Sequence, residues 1–339
     1  MVGYTSKFQA GNSVRGTTFA VALLLAAAAL PLRAQEQITQ VDLSGSWALQ
    51  EDEGVMERVA GPVPDDFTGI PLNDAGRYLA LDYNPGSYSE PERICLQETP
   101  WSLAIGPWAI RIWPQVDPAT RQVSAWMIGG TESHPPVTIW MDGRPRPSAL
   151  APHDRSGFTL GTWKGDMLIA YTTNLKAGIL RRSGAFSSDQ TTLTSTFIRH
   201  DDMLAVSYVL QDPVYLTEPY AYANSYLRSD GPVGIDWDPC IVGYEGVDEG
   251  KVPFYLPGKN PLVGQMKQIY GIPEEASLGG AQTMYPEFRD KIKAKFVMPP
   301  GKCTLYCTTG FAPPPPSKAP ATAPSTGTRE PRARRAPGS

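Results

Sequence analysis

Residues 157–175 read GFTLGTWKGDMLIAYTTNL, and this stretch predicts a β-hairpin. Aromatic, β-branched and other apolar residues fill 158–163 and 167–174, which is typical of two short strands. Between them, Lys164-Gly165-Asp166 favours a tight turn, because Gly165 tolerates a positive φ and Asp166 can bond nearby backbone N–H groups. The turn therefore has a structural explanation that needs no substrate.

Short segments of the same kind fill most of the chain between residues 100 and 245. Gly, Pro, Asp and Asn residues that favour turns separate them. A short helix is predicted around 72–82, with Asn73 as its N-cap. Besides an opening strand at 41–49, the further segments that we predict as strands are 107–113, 121–128, 137–141, 191–199, 203–210, 221–228 and 241–244.

This pattern predicts a mostly β protein with an antiparallel meander. Such a sheet must protect its edge strands, and closing on itself does so. We therefore expect a barrel-like, calycin-like domain over residues 35–250, with an open sandwich as the alternative. The chain shows no Gly-rich turn between a strand and a helix, so a dinucleotide-binding fold is unsupported and we predict no cofactor.

The first 34 residues predict a secretory signal peptide. Lys7 and Arg15 precede an apolar run from Phe19 to Leu30, and the small residue Ala34 ends the segment. The run is shorter than the roughly 20 apolar residues that a membrane-spanning helix needs. We therefore expect a periplasmic or secreted protein with no transmembrane segment after cleavage.

Beyond residue 250 the composition changes twice. Residues 251–311 are predicted to be an extended segment with one helix at about 286–296, where Phe288, Ile292 and Phe296 share a face. Residues 312–339 are rich in Pro, Ala, Ser and Thr and predict a disordered basic tail, either solvated or in weak contact with anionic cell-surface polymers.

The charge distribution argues against a nucleic-acid partner. Residues 1–34 carry a charge of +3 and residues 312–339 carry +4, although the whole chain has a net charge of −4. The body between these ends is therefore strongly acidic, whereas nucleic-acid binding needs a basic face.

Four cysteines remain after signal cleavage, and an even number in an oxidising compartment favours disulfides. Four cysteines allow three disulfide pairings, and all three remain open. A zinc site is not expected, because none of the three histidines lies near a cysteine, and we predict no metal. The cysteines are Cys95, Cys240, Cys303 and Cys307.

Three stretches, IWMDGRPRP, GFTLGTWKGDMLIAYTTN and DPVYLTEPY, resemble a family of uncharacterised secreted bacterial β-rich proteins. The resemblance spans about residues 42–245, with an Asp-Gly-Arg-Pro turn ahead of a Gly-x-Trp-x-Gly-Asp hairpin. Relatives often carry a Pro-His-Ser before an acidic residue where this chain has 185–189, AFSSD, without the histidine. The opening DLSGSW also resembles the first strand of lipocalin-like barrels.

Six tryptophans lie within residues 101–163, and tryptophan suits a ligand pocket because it combines apolar area with an N–H donor. Trp108 and Trp113 fall on opposite faces of one predicted strand, so both cannot fill one core. The predicted ligand-binding residues are Trp108, Trp113, Trp140, Arg144, Trp163, Thr173 and Asn174.

An enzymatic site is the alternative. His153 lies in a loop between Asp142-Gly143-Arg144 and the 157–175 hairpin, where it could act as a general base at neutral pH. The carboxylates that follow strands, Asp142, Asp166, Asp189 and Asp212, could supply acid and base pairs or simply stabilise turns. Under this alternative we assign His153, Asp142 and Asp166 as catalytic.

These observations lead to three functional hypotheses. The first is an exported protein that binds a small apolar or amphipathic ligand in a barrel-like pocket. The second is a secreted or periplasmic hydrolase, lyase or isomerase that uses His153 with nearby carboxylates. The third is a structural protein of the cell envelope.

Overall fold

A computed structural model describes residues 41–50, 64–84, 97–106, 109–130, 136–231 and 254–295. The chain divides into two compact units, Met1–Val41 and Asp42–Ser339, and all the elements described below belong to the second. The predicted signal peptide, the predicted tail and the predicted strand at 241–244 lie outside the described residues.

The described strands include nine that form a closed barrel, which confirms the predicted mostly β, barrel-like fold. Their order around the barrel is β1-β11-β10-β9-β6-β5-β4-β3-β2, and β2 pairs with β1 to close it. The barrel strands are β1 (Gly45–Leu49), β2 (Ile110–Val116), β3 (Val123–Gly129), β4 (Val137–Trp140), β5 (Phe158–Lys164), β6 (Met167–Thr173), β9 (Thr192–His200), β10 (Met203–Gln211) and β11 (Tyr220–Ser229).

The quoted hairpin is β5 and β6, paired antiparallel from Phe158 opposite Thr173 to Lys164 opposite Met167. Gly165 has φ 63°, as the two-residue turn requires. Asp201, in the turn between β9 and β10, has φ 51° and serves the same purpose there.

One pair departs from the meander, because β4 and β5 run parallel. A parallel neighbour cannot follow a tight turn and needs a connection of a dozen or more residues. Residues 141–157 make that connection without a helix or strand. We call this segment the strap.

The remaining described elements lie outside the barrel wall. A second sheet pairs β7 (Gly178–Arg181) with β8 (Ala185–Ser187). The helix predicted around 72–82 is α1 (Asp74–Leu81), and the Asn73 side chain caps it by accepting from the Gly76 N–H, as predicted. A short helix that the sequence did not reveal, α2 (Ser102–Ile105), precedes β2.

The described part of the C-terminal segment holds three short α-helices, α3 (Gln265–Tyr270), α4 (Glu274–Ser277) and α5 (Pro286–Ile292), and 3-10 turns at Gly280–Met284 and Lys293–Lys295. Helix α5 coincides with the start of the predicted helix, with Pro286 in its first turn and Phe288 buried. Phe296 lies outside the described residues. Among the described residues, no helix is long and apolar enough to span a membrane.

Candidate functional site

The inward face of the barrel follows from strand register. Residues paired across neighbouring strands share a face, which groups Ile112, Ile128 and Val137 in one row and Trp126, Ile139 and Thr159 in another. The two rows point the same way, because Trp126 and Ile128 are two residues apart on β3. These rows are mostly buried and apolar, which identifies them as interior. The other fully buried side chains of the same face include Trp47, Ile110, Leu168, Leu204 and Tyr226.

One end of the barrel, which we call the covered end, is sealed by elements outside the wall. There the Asn224 side chain donates to the backbone oxygens of Leu103 and Ala104 in α2, at 3.0 and 3.1 Å. The Trp101 ring packs against Tyr220 at 5.1 Å between centroids, and its Nε1–H donates to the Leu180 oxygen of β7.

A buried arginine completes the covered end. Arg181, only 4% exposed, donates to the Thr68 backbone oxygen at 3.0 Å and to the Tyr220 hydroxyl at 3.2 Å. Its guanidinium also lies 3.7 Å from the Asp66 carboxylate. A buried cation held by these partners anchors the cover to the barrel wall.

The opposite end carries the turns at 117–122, 165–166 and 201–202, and we call it the turn end. Its inward residues differ in exposure. Pro114, Ser124 and Trp163 are half-buried there, whereas Leu168, Phe197 and Leu204 are buried. The inner wall of the barrel is thus partly exposed at the turn end, on the side formed by β2, β3 and β5.

The wall between the two inward tryptophans of β3 and β5 is apolar. Trp126 on β3 and Trp163 on β5 are two strands apart, with Met141 and Gly161 between them. A Cβ at Gly161 would lie 2.3 Å from the Met141 sulfur, so the missing side chain makes room for Met141. The Met141 N–H donates to the Ser124 oxygen, which extends the β3–β4 pairing to this position.

The indole N–H groups of the barrel fall into two classes. Trp47 Nε1 donates to the Leu43 oxygen at 3.1 Å, and Trp101 is satisfied as described above. Within the described structure, the buried Nε1 atoms of Trp126 and Trp163 have no hydrogen-bond partner. Since a buried N–H without an acceptor is costly, these two groups are candidates for contact with a ligand.

The other predicted ligand-binding residues of β2, β4 and β6 lie on the outer face. Trp113, Trp140 and Thr173 alternate with inward residues of their strands and point away from the interior. The interior holds Trp163 but not these three side chains. Trp108 lies outside the described residues, as do the four cysteines.

Arg144 belongs to an outer cluster with Trp140 and Asp142. The Arg144 guanidinium stacks on the Trp140 ring and forms an ion pair with Asp142 at 2.5 Å. The side-chain hydrogen bond from Arg144 lowers the pKa of Asp142 from 3.8 to about 2. Because Asp142 stays ionised and paired at neutral pH, it is poorly suited to proton transfer.

His153 is held by the backbone rather than by a carboxylate. Its Nδ1 lies 2.9 Å from the Leu175 oxygen and its Nε2 lies 3.4 Å from the Ala149 oxygen. A carbonyl only accepts, so Nδ1 donates in the shorter contact. Asp166 sits in the exposed β5–β6 turn. The three residues predicted as catalytic are therefore not brought into one hydrogen-bonded group.

Asn174 also has a structural role, because it holds the strap to the end of β6. It has φ 56°, and its side chain donates to the Ser148 oxygen in the strap at 2.9 Å and accepts from the Thr173 hydroxyl at 2.8 Å. These bonds, with those of His153, tie the strap to the end of β6. Thr173 and Asn174 stabilise the crossover between the two parallel strands.

Two buried carboxylates have roles that the sequence did not show. Asp212 accepts from the Ser188 N–H and hydroxyl, the Thr191 hydroxyl and the Val214 and Tyr215 N–H groups. It thereby joins the loops that precede β9 and β11. Turn propensity marks Asp212 as a turn residue, but only the fold brings Ser188 and Thr191 to it.

Asp65 is 1% exposed and accepts from the Gly264 and Met266 N–H groups at 2.6 and 3.2 Å. Burial raises the pKa of this carboxyl above its ordinary value. The contact joins the segment before α1 to the start of α3. Among the described residues, no cluster of His, Cys, Asp and Glu could hold a metal ion.

No protein-family model and no curated protein matches this sequence. Similar solved structures include a mutant and the wild-type form of the fluorescent protein UnaG, each with 11% identity and a TM-score of 0.25. The matches cover 56% and 55% of this chain and 97% of the UnaG chains. The barrel assignment therefore rests on this chain's own strand pairing.

Proposed function

We propose that this chain is an exported protein that binds a small apolar or amphipathic ligand inside its barrel, entering at the turn end. One observation carries this proposal. The inward wall is buried along most of its length and closed at the covered end, whereas Pro114, Ser124 and Trp163 at the turn end are only half-buried. We place the opening for a ligand on this half-buried side.

The chemistry of the wall supports an apolar ligand. The inward side chains of β3, β4 and β6 that line the interior are mostly hydrocarbon or aromatic, including Trp126, Ile139 and Leu168. Met141 adds a flexible thioether that adapts to irregular shapes. Burying apolar ligand surface against such a wall is favourable by roughly 25 cal/mol per Å².

Export remains part of the proposal through residues 1–34. Their basic start, short apolar run and small residue before Gln35 are typical of a cleaved secretory signal. In that compartment Cys95, Cys240, Cys303 and Cys307 would form disulfides. A periplasmic or secreted location suits a protein that carries poorly soluble molecules through water.

The geometry favours this proposal over the enzymatic alternative. His153 contacts two backbone oxygens, and Asp142 is paired with Arg144, so neither is arranged for proton transfer with the other. Both belong to the strap, whereas the opening is placed among inward residues of the turn end. We therefore assign the outer cluster to stabilisation of the strap.

The test is to identify what the protein carries. The full chain, including residues 1–34, is expressed in a Gram-negative host and purified from the periplasm without denaturant. Solvent extracts are analysed by mass spectrometry beside extracts of a Trp163→Arg variant, which places a charge on the inward face at the turn end. We expect an apolar molecule that is enriched with the natural chain and depleted with the variant. A natural chain that is reproducibly empty and binds no apolar probe would contradict the proposal.

A further inference from the structure

We infer that the ligand presents an uncharged hydrogen-bond acceptor, such as a ketone, ester or amide oxygen, to the indole N–H groups of Trp126 and Trp163. This inference rests on the proposed function and specifies the chemistry of the bound molecule. It starts from the contrast between the four indoles described above. Trp47 and Trp101 donate to backbone oxygens, whereas the other two do not.

The burial of these nitrogens makes the contrast informative. Trp126 is 3% exposed, and its Nε1 is buried without a hydrogen-bond partner. An N–H group left without an acceptor in such surroundings costs roughly 1–3 kcal/mol. An acceptor on the ligand would remove this cost on binding, and the same applies to the buried nitrogen of Trp163.

Trp126 and Trp163 flank one continuous part of the wall. In the register of β3, β4 and β5, Trp126 lies opposite Ile139, and Ile139 lies beside Thr159, four residues before Trp163. Four residues of strand span about 13 Å. The two N–H groups therefore face different parts of one bound molecule.

The surroundings favour an uncharged acceptor. The inward positions of β3 to β6 are Ser124, Trp126, Ile128, Val137, Ile139, Met141, Thr159, Gly161, Trp163, Leu168, Ala170 and Thr172. None of these side chains carries a charge. A carboxylate placed here would lose its hydration with no cation to pair with, which is far more costly than burying a carbonyl.

Two inward arginines are engaged with Trp47 and with backbone oxygens. Arg199 on β9 and Arg228 on β11 stack over the Trp47 ring at 5.5 and 5.9 Å. Arg199 is bonded to the backbone oxygens of Asp42 and Asp201. Because both guanidinium groups have these partners, the wall around Trp126 and Trp163 suits a neutral polar group.

The experiment compares three fluorescent naphthalene probes that differ in one group. The first is the ketone Prodan, the second has a methylene in place of the carbonyl, and the third has a carboxylate in place of the propionyl group. Affinities for the full chain are measured by isothermal titration calorimetry. We expect the ketone to bind about tenfold more tightly than the methylene analogue, as one net hydrogen bond predicts, and the carboxylate to bind most weakly.

Variants assign the effect to the indoles. Trp126→Phe and Trp163→Phe, singly and together, remove N–H donors and keep aromatic rings. Trp140→Phe makes the same change on the outer face and is the matched control. We expect the double variant to lose the preference for the ketone and to keep its affinity for the methylene analogue, while the control is unchanged.

The outcomes separate the two proposals. Equal binding of ketone and methylene probes would overturn this inference and leave barrel binding intact, because it would show that the indole N–H groups do not bond to the ligand. If the carboxylate probe bound most tightly, the inference that the ligand's acceptor is uncharged would be overturned. Failure of all three probes, together with an empty native extract, would count against the proposed function itself. The probe comparison on the natural chain decides the inference even if a variant fails to fold.

Discussion

The guanidinium carbon of Arg144 lies 3.4 Å from the centroid of the Trp140 ring, on the outer face of the barrel. Arg146, two residues further along the strap, lies over Tyr171 of β6 at 4.4 Å in the same way. The two stacks hold the strap against the outer face of the barrel, one on β4 and the other on β6. The DGRP motif at 142–145 is therefore explained by the parallel crossover between β4 and β5.

We expect the Asp142 carboxyl to titrate near pH 2, because the Arg144 side chain lowers its pKa to about 2 from 3.8. Since the pKa is depressed in the folded state, the stabilisation is present above pH 3.8 and is lost as the pH falls through about 2. The pair is exposed, so the effect on stability is small. NMR titration of the side-chain carboxyl carbon measures the pKa. Arg144→Gln should return it towards 3.8, and a natural value near 3.8 would contradict the pairing.

We expect Asp65→Ala to lower the free energy of unfolding by about 1–3 kcal/mol, because the buried Gly264 and Met266 N–H groups lose their acceptor. Burial raises the pKa of Asp65 in the folded state, so the folded chain holds this proton more tightly than the unfolded chain. The contribution of Asp65 to stability therefore declines as the pH rises from 3.8 through the folded-state pKa.

Urea unfolding at two pH values tests both parts of this expectation. The difference between the natural chain and Asp65→Ala should be larger at about pH 4 than at about pH 7, because only the natural chain bears the cost of ionising a buried carboxyl. A difference that grows with pH would show that the carboxylate form is the one the fold favours.

We expect Asp212→Asn to destabilise the protein by about 3 kcal/mol, because an amide nitrogen cannot accept from the donors that surround this carboxylate. Either orientation of the amide would place its NH₂ against Ser188 and at least one other donor. Thermal and urea unfolding measure the loss. Asp189→Asn is the control, since Asp189 is exposed nearby and should change the stability by less than about 0.5 kcal/mol.

We expect Gly161→Ala to destabilise the barrel by about 1–2 kcal/mol through overpacking. The new Cβ would lie 2.3 Å from the Met141 sulfur and 2.7 Å from Ile139 Cγ2. Met141→Ala should relieve most of this strain, so the double variant should be more stable than the sum of the single effects predicts. Urea unfolding of all four chains gives the coupling, and additive effects would argue against the packing described here.

Much of the fold could be predicted from local sequence. The β5–β6 and β9–β10 hairpins were predicted to within a residue or two, because their strand periods and turn residues are local signals. The Asn73 cap of α1 was predicted for the same reason. The β7–β8 pair and α2 were not predicted, because they are short and owe their stability to contacts with distant parts of the chain.

The candidate site was harder to predict, since a period of two says which residues share a face and not which face is inside. Trp113, Trp140 and Trp163 all occupy plausible strand positions, and only the register places Trp163 inside and the other two outside. Trp126 was not among the predicted site residues. Its alternation with Ser124 and Ile128 was visible, but its unpartnered N–H was not.

The sequence by itself determined the strands, their turns and the mostly β class, because backbone conformation is set by residues close in the chain. The turn at 165–166, where the quoted hairpin reverses, was determined in this way. Only the tertiary structure decided that β4 and β5 run parallel, that Arg144 secures the strap, and that Trp126 and Trp163 share the interior. These features depend on which strands become neighbours, and that choice is made by burial across the whole barrel.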